Sequence, residues 1–137
     1  MSDTASKPRP QFRNLGIPQL LNYRLPPAAK ASILHRVSGA LLFLCLPLVL
    51  LPLFALSVSS PESYASIQSW ASHPLMKLIL LVLIWGYMHH FCAGIRYLTL
   101  DLHIGNSREA SQRSARVVFG VSLALTLVFG LKLYGVW

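Results

Sequence analysis

The residues able to do chemistry in this chain are imidazoles, guanidiniums and hydroxyls set inside apolar sequence. Ser32, His35, Arg36 and Gly39 stand at i, i+3, i+4 and i+7, which puts them on one face of a helix. A fixed cation, a titratable imidazole and a hydroxyl gathered there suit an anionic or carbonyl-bearing ligand. The plainer alternative is an interfacial polar stripe with Arg36 snorkelling. Further along, Gly86, His90, Gly94 and Tyr97 fall on a second stripe at i, i+4, i+8 and i+11. Its two glycines leave room for a flat body to lie against the backbone. A neutral imidazole beside such a groove suits axial ligation of haem iron, because the ring nitrogen supplies a lone pair and the missing side chains admit the macrocycle. A histidine that only hydrogen-bonds a neighbouring helix is the competing reading. His89 points roughly 100° away, so at most one of the pair belongs to this stripe.

The elements that must position these residues are membrane helices. Of 137 residues, 54% are hydrophobic and 12% charged, against a charged fraction of about 25% in ordinary soluble domains. Gly39 to Val58 is a run of twenty residues without a charge. At about 1.5 Å rise per residue it matches the hydrocarbon core. Pro47 and Pro52 lie inside it and predict a bend, since each removes an amide donor. Pro26 and Pro27 suit the start of the same helix, which therefore begins polar and ends apolar. The spans predicted are about 31–58, 75–100 and 115–134, the third preceded by Asn106, Ser107 and Glu109 as capping candidates. Residues 1–27 read as an N-terminal segment and 28–137 as a three-helix membrane unit. Between the first two spans, Ser59 and Glu62 stand at capping-box spacing around Pro61, predicting a short interfacial helix through Trp70. The expected fold is all-α, with three transmembrane helices running up, down and up.

Charge sets the orientation. The 12 Lys and Arg against 4 Asp and Glu would suggest nucleic acid in a soluble protein, but here the basic residues flank apolar runs. No nucleic-acid partner is expected; the bilayer is. Lys7, Arg9, Arg13, Arg24, Lys30 and Arg36 precede the charge-free run of the first span, and Arg96, Arg108, Arg113 and Arg116 surround the second loop, while Ser59 to Pro74 holds no Lys or Arg. The positive-inside rule then puts the N-terminus and second loop in the cytoplasm and the C-terminus outside. The hydrophilic start lacks a signal-peptide h-region and the Arg-rich pattern of a transit peptide, which favours a bacterial cytoplasmic (inner) membrane.

Depth bears on ligation. His90 lies about 16 Å from the Asp101 edge and His35 only about 8 Å beyond Lys30, which predicts different heights for the two imidazoles. If haem is bound, a second subunit must supply the other axial ligand, and this chain is half of a heterodimeric haem-binding bundle.

The run Ser32-Ile33-Leu34-His35-Arg36-Val37-Ser38-Gly39, followed after one span by His90-x-x-x-Gly94-x-Arg96 and Asp101, resembles the cytochrome b membrane-anchor subunits of succinate dehydrogenase. The likeness extends from about Arg9 to the C-terminus and includes Arg9-Pro10, Tyr23-Arg24-Leu25-Pro26 and the three-span layout. It implies a respiratory complex II of a flavoprotein subunit, an iron–sulfur subunit and two small anchors, passing electrons from succinate to ubiquinone in electron transport and the tricarboxylic acid cycle. It further implies that Ser32 and Arg36 help bind quinone, that His90 is one axial ligand of haem b, and that the second three-helix anchor supplies the other. His35, Arg36, Gly94 and Tyr97 would then lie around the haem propionates. The chain departs from the pattern in having Tyr97 where many members carry a second histidine, and in having His89 beside His90. The ligand is assigned by spacing to Gly94, with His89 the alternative if the register moves by one. Arg96 and Asp101 are expected either to form a proton route or simply to cap and snorkel. The chain has no flavin or nicotinamide motif, so succinate oxidation must occur on another subunit. The competing reading is a haem-free structural anchor or transporter subunit whose histidines only join helices.

Overall fold

The computed structural model describes residues 16–136; Lys7, Arg9, Arg13 and the Arg9-Pro10 opening lie outside the described residues. These residues are all-helical, with no strand among them. A short α1 (Ile17–Asn22) is followed by α2 (Pro27–Cys45), a wide turn (Leu46–Leu50), α3 (Leu51–Ser57), α4 (Pro61–Ala71), α5 (Pro74–Asp101) and α6 (Arg108–Leu133). Three helices are long and apolar enough to cross a membrane: the continuous Pro27–Ser57 segment, α5 and α6.

Each boundary has a local cause. Pro26 stands extended before α2 and Pro27 occupies its first position, where the missing N–H would be unpaired in any case. The first-turn amides then find acceptors: Ala29 and Lys30 donate to the Pro26 carbonyl, and Ala28 donates to Gln112 Oε1 of α6 at 3.1 Å. The bend expected at Pro47 and Pro52 takes the form of a π turn. Between the two prolines the ladder widens, so that Leu51 N–H reaches the Leu46 carbonyl five residues back, and the helix continues to Ser57.

The cap of α4 is Ser60, one residue later than the Ser59 and Glu62 pairing expected. Ser60 is extended and its Oγ accepts from Ser63 N at 3.1 Å, while the Ser59 hydroxyl donates back to the Leu56 carbonyl and closes α3. Glu62 is left in the first turn, where its charge suits the positive helix end. For α6 the cap is Ser107, with Oγ accepting from Ala110 N at 3.3 Å. The helix thus starts at Arg108, ahead of the apolar span, because the capped polar turns extend it into the interface. The intervening turn places His103 and Gly105 at positive φ (61° and 76°), the latter a conformation that glycine adopts without penalty.

The bundle closes along a seam of small residues. Ala31 of α2, Ala93 of α5 and Ala115 of α6 are completely buried, and α6 continues the seam through Val118, Ser122, Thr126 and Gly130. Ser122 and Thr126 are tolerated there because their hydroxyls donate to carbonyls of their own helix, those of Phe119 (3.1 Å) and Ser122 (2.7 Å). Leu81 packs against Gly130, His89 against Phe119, and Arg96 reaches Ser111 and Ser114, which fixes the antiparallel register of α5 on α6. Phe43, Leu48, Leu98 and Leu127 are mostly exposed. In water that surface would aggregate; in a bilayer it is available to lipid or to neighbouring helices.

Candidate functional site

The polar residues gather where the start of α2 crosses the last turns of α5. His90 is centred there. Its Nδ1 lies 3.1 Å from the His35 carbonyl and 3.3 Å from Ser38 Oγ, and the Ser38 hydroxyl donates to that same carbonyl at 3.0 Å. A carbonyl can only accept, so Nδ1 carries the proton and the lone pair is on Nε2. Second-neighbour hydrogen bonds of this kind orient imidazole ligands. Ser38, which the sequence reading did not single out, is buried and shares this contact. Its position one turn from His35 on a helix that must face α5 is the signal that could have found it.

The ring of His90 needs Gly39. A Cβ at that position would come within 2.8 Å of His90 Cε1 and 3.3 Å of Nδ1, so only a residue without a side chain lets the two helices meet there. The His35 ring lies flat on the His90 ring, with centroids 4.2 Å apart and planes 11° from parallel, and meets Tyr97 at 5.1 Å on a tilt. The two glycines of the α5 stripe differ: a Cβ on Gly94 would approach His35 Nε2 at 3.8 Å, whereas one on Gly86 would meet nothing within 4 Å.

This stacking corrects the depth expected for the two histidines. They stand at the same height, because α2 starts at Pro27 and α5 runs on to Asp101, so the polar ends overlap more than the nearest charged residues suggested. Face-to-face stacking leaves no room for a flat macrocycle between the rings. One iron could therefore not take both of these rings as opposed ligands in this arrangement.

The remaining expected residues separate. Ser32 is half-buried and Arg36 exposed, on the flank of the His35–Gly39 face and open to a ligand or another chain. His89 is 1% exposed and faces inward between Trp85 (5.5 Å) and Phe119 (5.3 Å); neither ring nitrogen makes a hydrogen bond of good geometry. The Tyr97 hydroxyl is also buried without a partner, and the Arg96 guanidinium stands 5.3 Å from the Tyr97 ring centre.

Arg96 does not snorkel. It is 6% exposed and crosses to α6, donating from Nε to Ser114 Oγ at 2.9 Å and from its terminal nitrogen to the Ser111 hydroxyl (2.9 Å) and carbonyl (3.1 Å). Asp101 is exposed at the end of α5, with no ion pair among the described residues. Ser111, Ser114 and Gln112 are the acceptors that lock α6 to the polar ends of α5 and α2; a lone arginine within an apolar helix signals that such acceptors must exist.

Fold and site together define an integral-membrane helical subunit, with hydroxyl, imidazole and guanidinium groups concentrated at one end of the bundle. Residues 6–129 match the family described as succinate dehydrogenase/fumarate reductase transmembrane subunit. Similar proteins include the succinate dehydrogenase cytochrome b556 subunits of Coxiella burnetii, 35% identical over 118 residues (86% of this chain and 90% of that one), and of Paracoccus denitrificans, 32% identical over 115 residues (81% and 85%). That of Rickettsia felis is 28% identical over 111 residues, 81% of this chain and 86% of the relative. The chain belongs to the succinate dehydrogenase/fumarate reductase transmembrane-subunit family.

Proposed function

We propose that this chain is the first membrane anchor of a succinate:ubiquinone oxidoreductase, holding haem b through His90 and forming part of the quinone site with Ser32 and Arg36. The observation that carries the reading is the placement of His90 Nδ1 within 3.1 Å of the His35 carbonyl, an acceptor only, which assigns the proton to Nδ1 and the lone pair to Nε2. The donor set fits the group. A neutral, oriented imidazole suits haem ligation, and a Cβ on Gly86, on the same stripe of α5, would meet nothing within 4 Å, which leaves that side of the helix open to a flat group. His89 is the weaker donor, since its ring is enclosed by Trp85 and Phe119 within the chain's own bundle. The second three-helix anchor would supply the other haem ligand, and the flavoprotein and iron–sulfur subunits would deliver electrons from succinate. When bound, haem supplies a one-electron redox site.

Around it, His35, Arg36, Gly94 and Tyr97 form the polar rim that receives the propionates. The exposed Arg36 offers a cation there, while the Tyr97 hydroxyl, buried within the chain, would have to turn outward to donate. At the quinone, the Ser32 hydroxyl donates to a carbonyl oxygen and Arg36 stabilises negative charge while two electrons and two protons are taken up. Arg96 acts structurally, its donors being directed to Ser111 and Ser114. The N-terminus and the α5–α6 turn face the cytoplasm of a bacterial inner membrane, in keeping with the clustering of arginines there.

A redox difference spectrum of the purified complex tests this. The wild type is expected to show a b-type α band that His90→Ala weakens or shifts. Arg36→Ala is expected to abolish quinone reduction while leaving reduction of artificial dyes by the soluble subunits intact. A complex with every partner present and no haem band would make the chain a haem-free anchor, and quinone turnover surviving Arg36→Ala and Ser32→Ala together would remove the quinone assignment.

A further inference from the structure

At the end of the bundle remote from His90, α5 and α6 enclose an apolar groove of about 360 Å³. Its walls are Leu81, Leu123 and Leu127, its floor Thr126 and Gly130, and Tyr134 stands at one end. The floor is deep because Gly130 has no side chain: a Cβ there would lie 2.8 Å from Leu81 Cδ1. Leu123 and Leu127 are mostly exposed, so the groove opens outward.

Apolar shape alone selects nothing in a bilayer, where lipid tails are as apolar as leucine. The mouth is different. Lys77 Nζ stands 5.4 Å from the centre of the Tyr134 ring, and Lys132 lies in the last turn of α6 at the same end. Lys132 suits the negative end of its helix. Lys77 does not: it stands one turn into α5, near the positive end, where the helix dipole disfavours a cation, and no carboxylate pairs with it among the described residues. The preceding segment, Ser59 to Pro74, is free of Lys and Arg, so a lysine at this end also runs against the charge bias of the chain. An anion at the mouth of the groove would offset the unfavourable contact of Lys77 with its own helix end.

We propose that the α5–α6 groove binds one anionic phospholipid, with an acyl chain between Leu81 and Leu127 and the headgroup phosphate at Lys77, flanked by Tyr134. The site is separate from the haem and quinone residues, and the inference does not depend on their assignment. The purified complex, stripped in mild detergent and titrated with phosphatidylglycerol or phosphatidylcholine, is followed by native mass spectrometry. Lys77→Ala is expected to weaken retention of phosphatidylglycerol about fivefold, the share of one lysine near an anionic headgroup, and to change phosphatidylcholine little. Leu127→Trp, which fills the groove from its exposed wall without touching buried packing, is expected to reduce both. Benzoylphenylalanine at position 127 is expected to crosslink to lipid. Equal retention by the wild type and both variants overturns the proposal. So does a crosslink to another polypeptide, which would make the groove a seam between subunits, or to quinone.

Discussion

Gly39→Ala adds one methyl group at the closest approach of α2 to α5. The new Cβ would lie 2.8 Å from His90 Cε1, whereas ordinary contact begins at 3.4 Å, so the imidazole must retreat by at least about 0.6 Å. It has little freedom to do so. Its Nδ1 is tied to the His35 carbonyl at 3.1 Å and its face lies 4.2 Å from the His35 ring. A retreat of that size carries the Nδ1 bond towards the limit of hydrogen bonding. It also exceeds the tolerance of roughly 0.5 Å within which a ligand must be held. The packing cost, about 1–3 kcal/mol, is small enough for the complex to assemble. Under the proposed ligation the outcome is an assembled complex whose reduced b-type band is shifted or diminished and which becomes reactive towards carbon monoxide. Gly120→Ala is the control, since its Cβ would meet nothing within 4 Å; it should leave the spectrum unchanged. Gly86→Ala also meets nothing within this chain, so a spectral change there would report the macrocycle itself. A Gly39→Ala complex with full partner occupancy, a native spectrum and no carbon monoxide binding would refute the assignment of His90.

Arg96→Leu removes the three hydrogen bonds to Ser111 and Ser114 but does not strand Ser114, whose hydroxyl still donates to the Ser111 carbonyl at 3.1 Å. The expected loss is about 2 kcal/mol, near the sum for membrane hydrogen bonds and short of three full charge-assisted ones; detergent-unfolding curves measure it, and Arg96→Lys should recover less than half. His89→Phe replaces an imidazole between Trp85 and Phe119 whose nearest polar partner, the Ala31 backbone, is poorly aligned, so it is expected to change stability by less than about 1 kcal/mol in the same assay and to leave the haem band intact; loss of that band would transfer the ligand role to His89. In α4, the Glu62 carboxyl is held below the usual carboxylate range by its own backbone amide and the Ser60 hydroxyl. A depressed folded value means that the contribution is present above the ordinary carboxyl range and is lost as pH falls through the folded value. The Cα shifts of Ser63 and Tyr64 should therefore move towards coil on acidification, and Glu62→Gln should remove that dependence.

The spans were legible because lipid forces backbone hydrogen bonding into helices, which turns a charge-free run such as Gly39 to Val58 into an element by length alone. Local caps were legible in kind but slipped by a residue, as at Ser60, because two adjacent serines offer the same hydroxyl and only the backbone decides which one is extended. The His90 stripe was readable from the spacing to Gly94. The partner of His90 was not, since the His35 carbonyl is a backbone atom and leaves no mark in the residue types. Relative depth failed for a related reason: charged residues mark where water begins, and α2 and α5 overlap beyond that point. Arg96 advertised that acceptors existed, but Ser111 and Ser114 could be named only once the register of α6 was known.

His35 joins the two halves of the proposed site. Its carbonyl fixes the proton of His90, its ring lies flat on the same imidazole, and the next residue along α2 is Arg36. The single turn of helix that sets the axial ligand therefore also carries the cation proposed for quinone. That turn is held on both flanks: Ala28 is fastened to Gln112 on one side and Gly39 is pressed against His90 on the other. A displacement of this turn cannot reach the quinone residues without also reaching the imidazole, because a packed helix moves as a unit. Substitutions confined to Arg36 or Ser32 should therefore affect quinone alone, while those at Gly39 that shift α2 should perturb both readouts together.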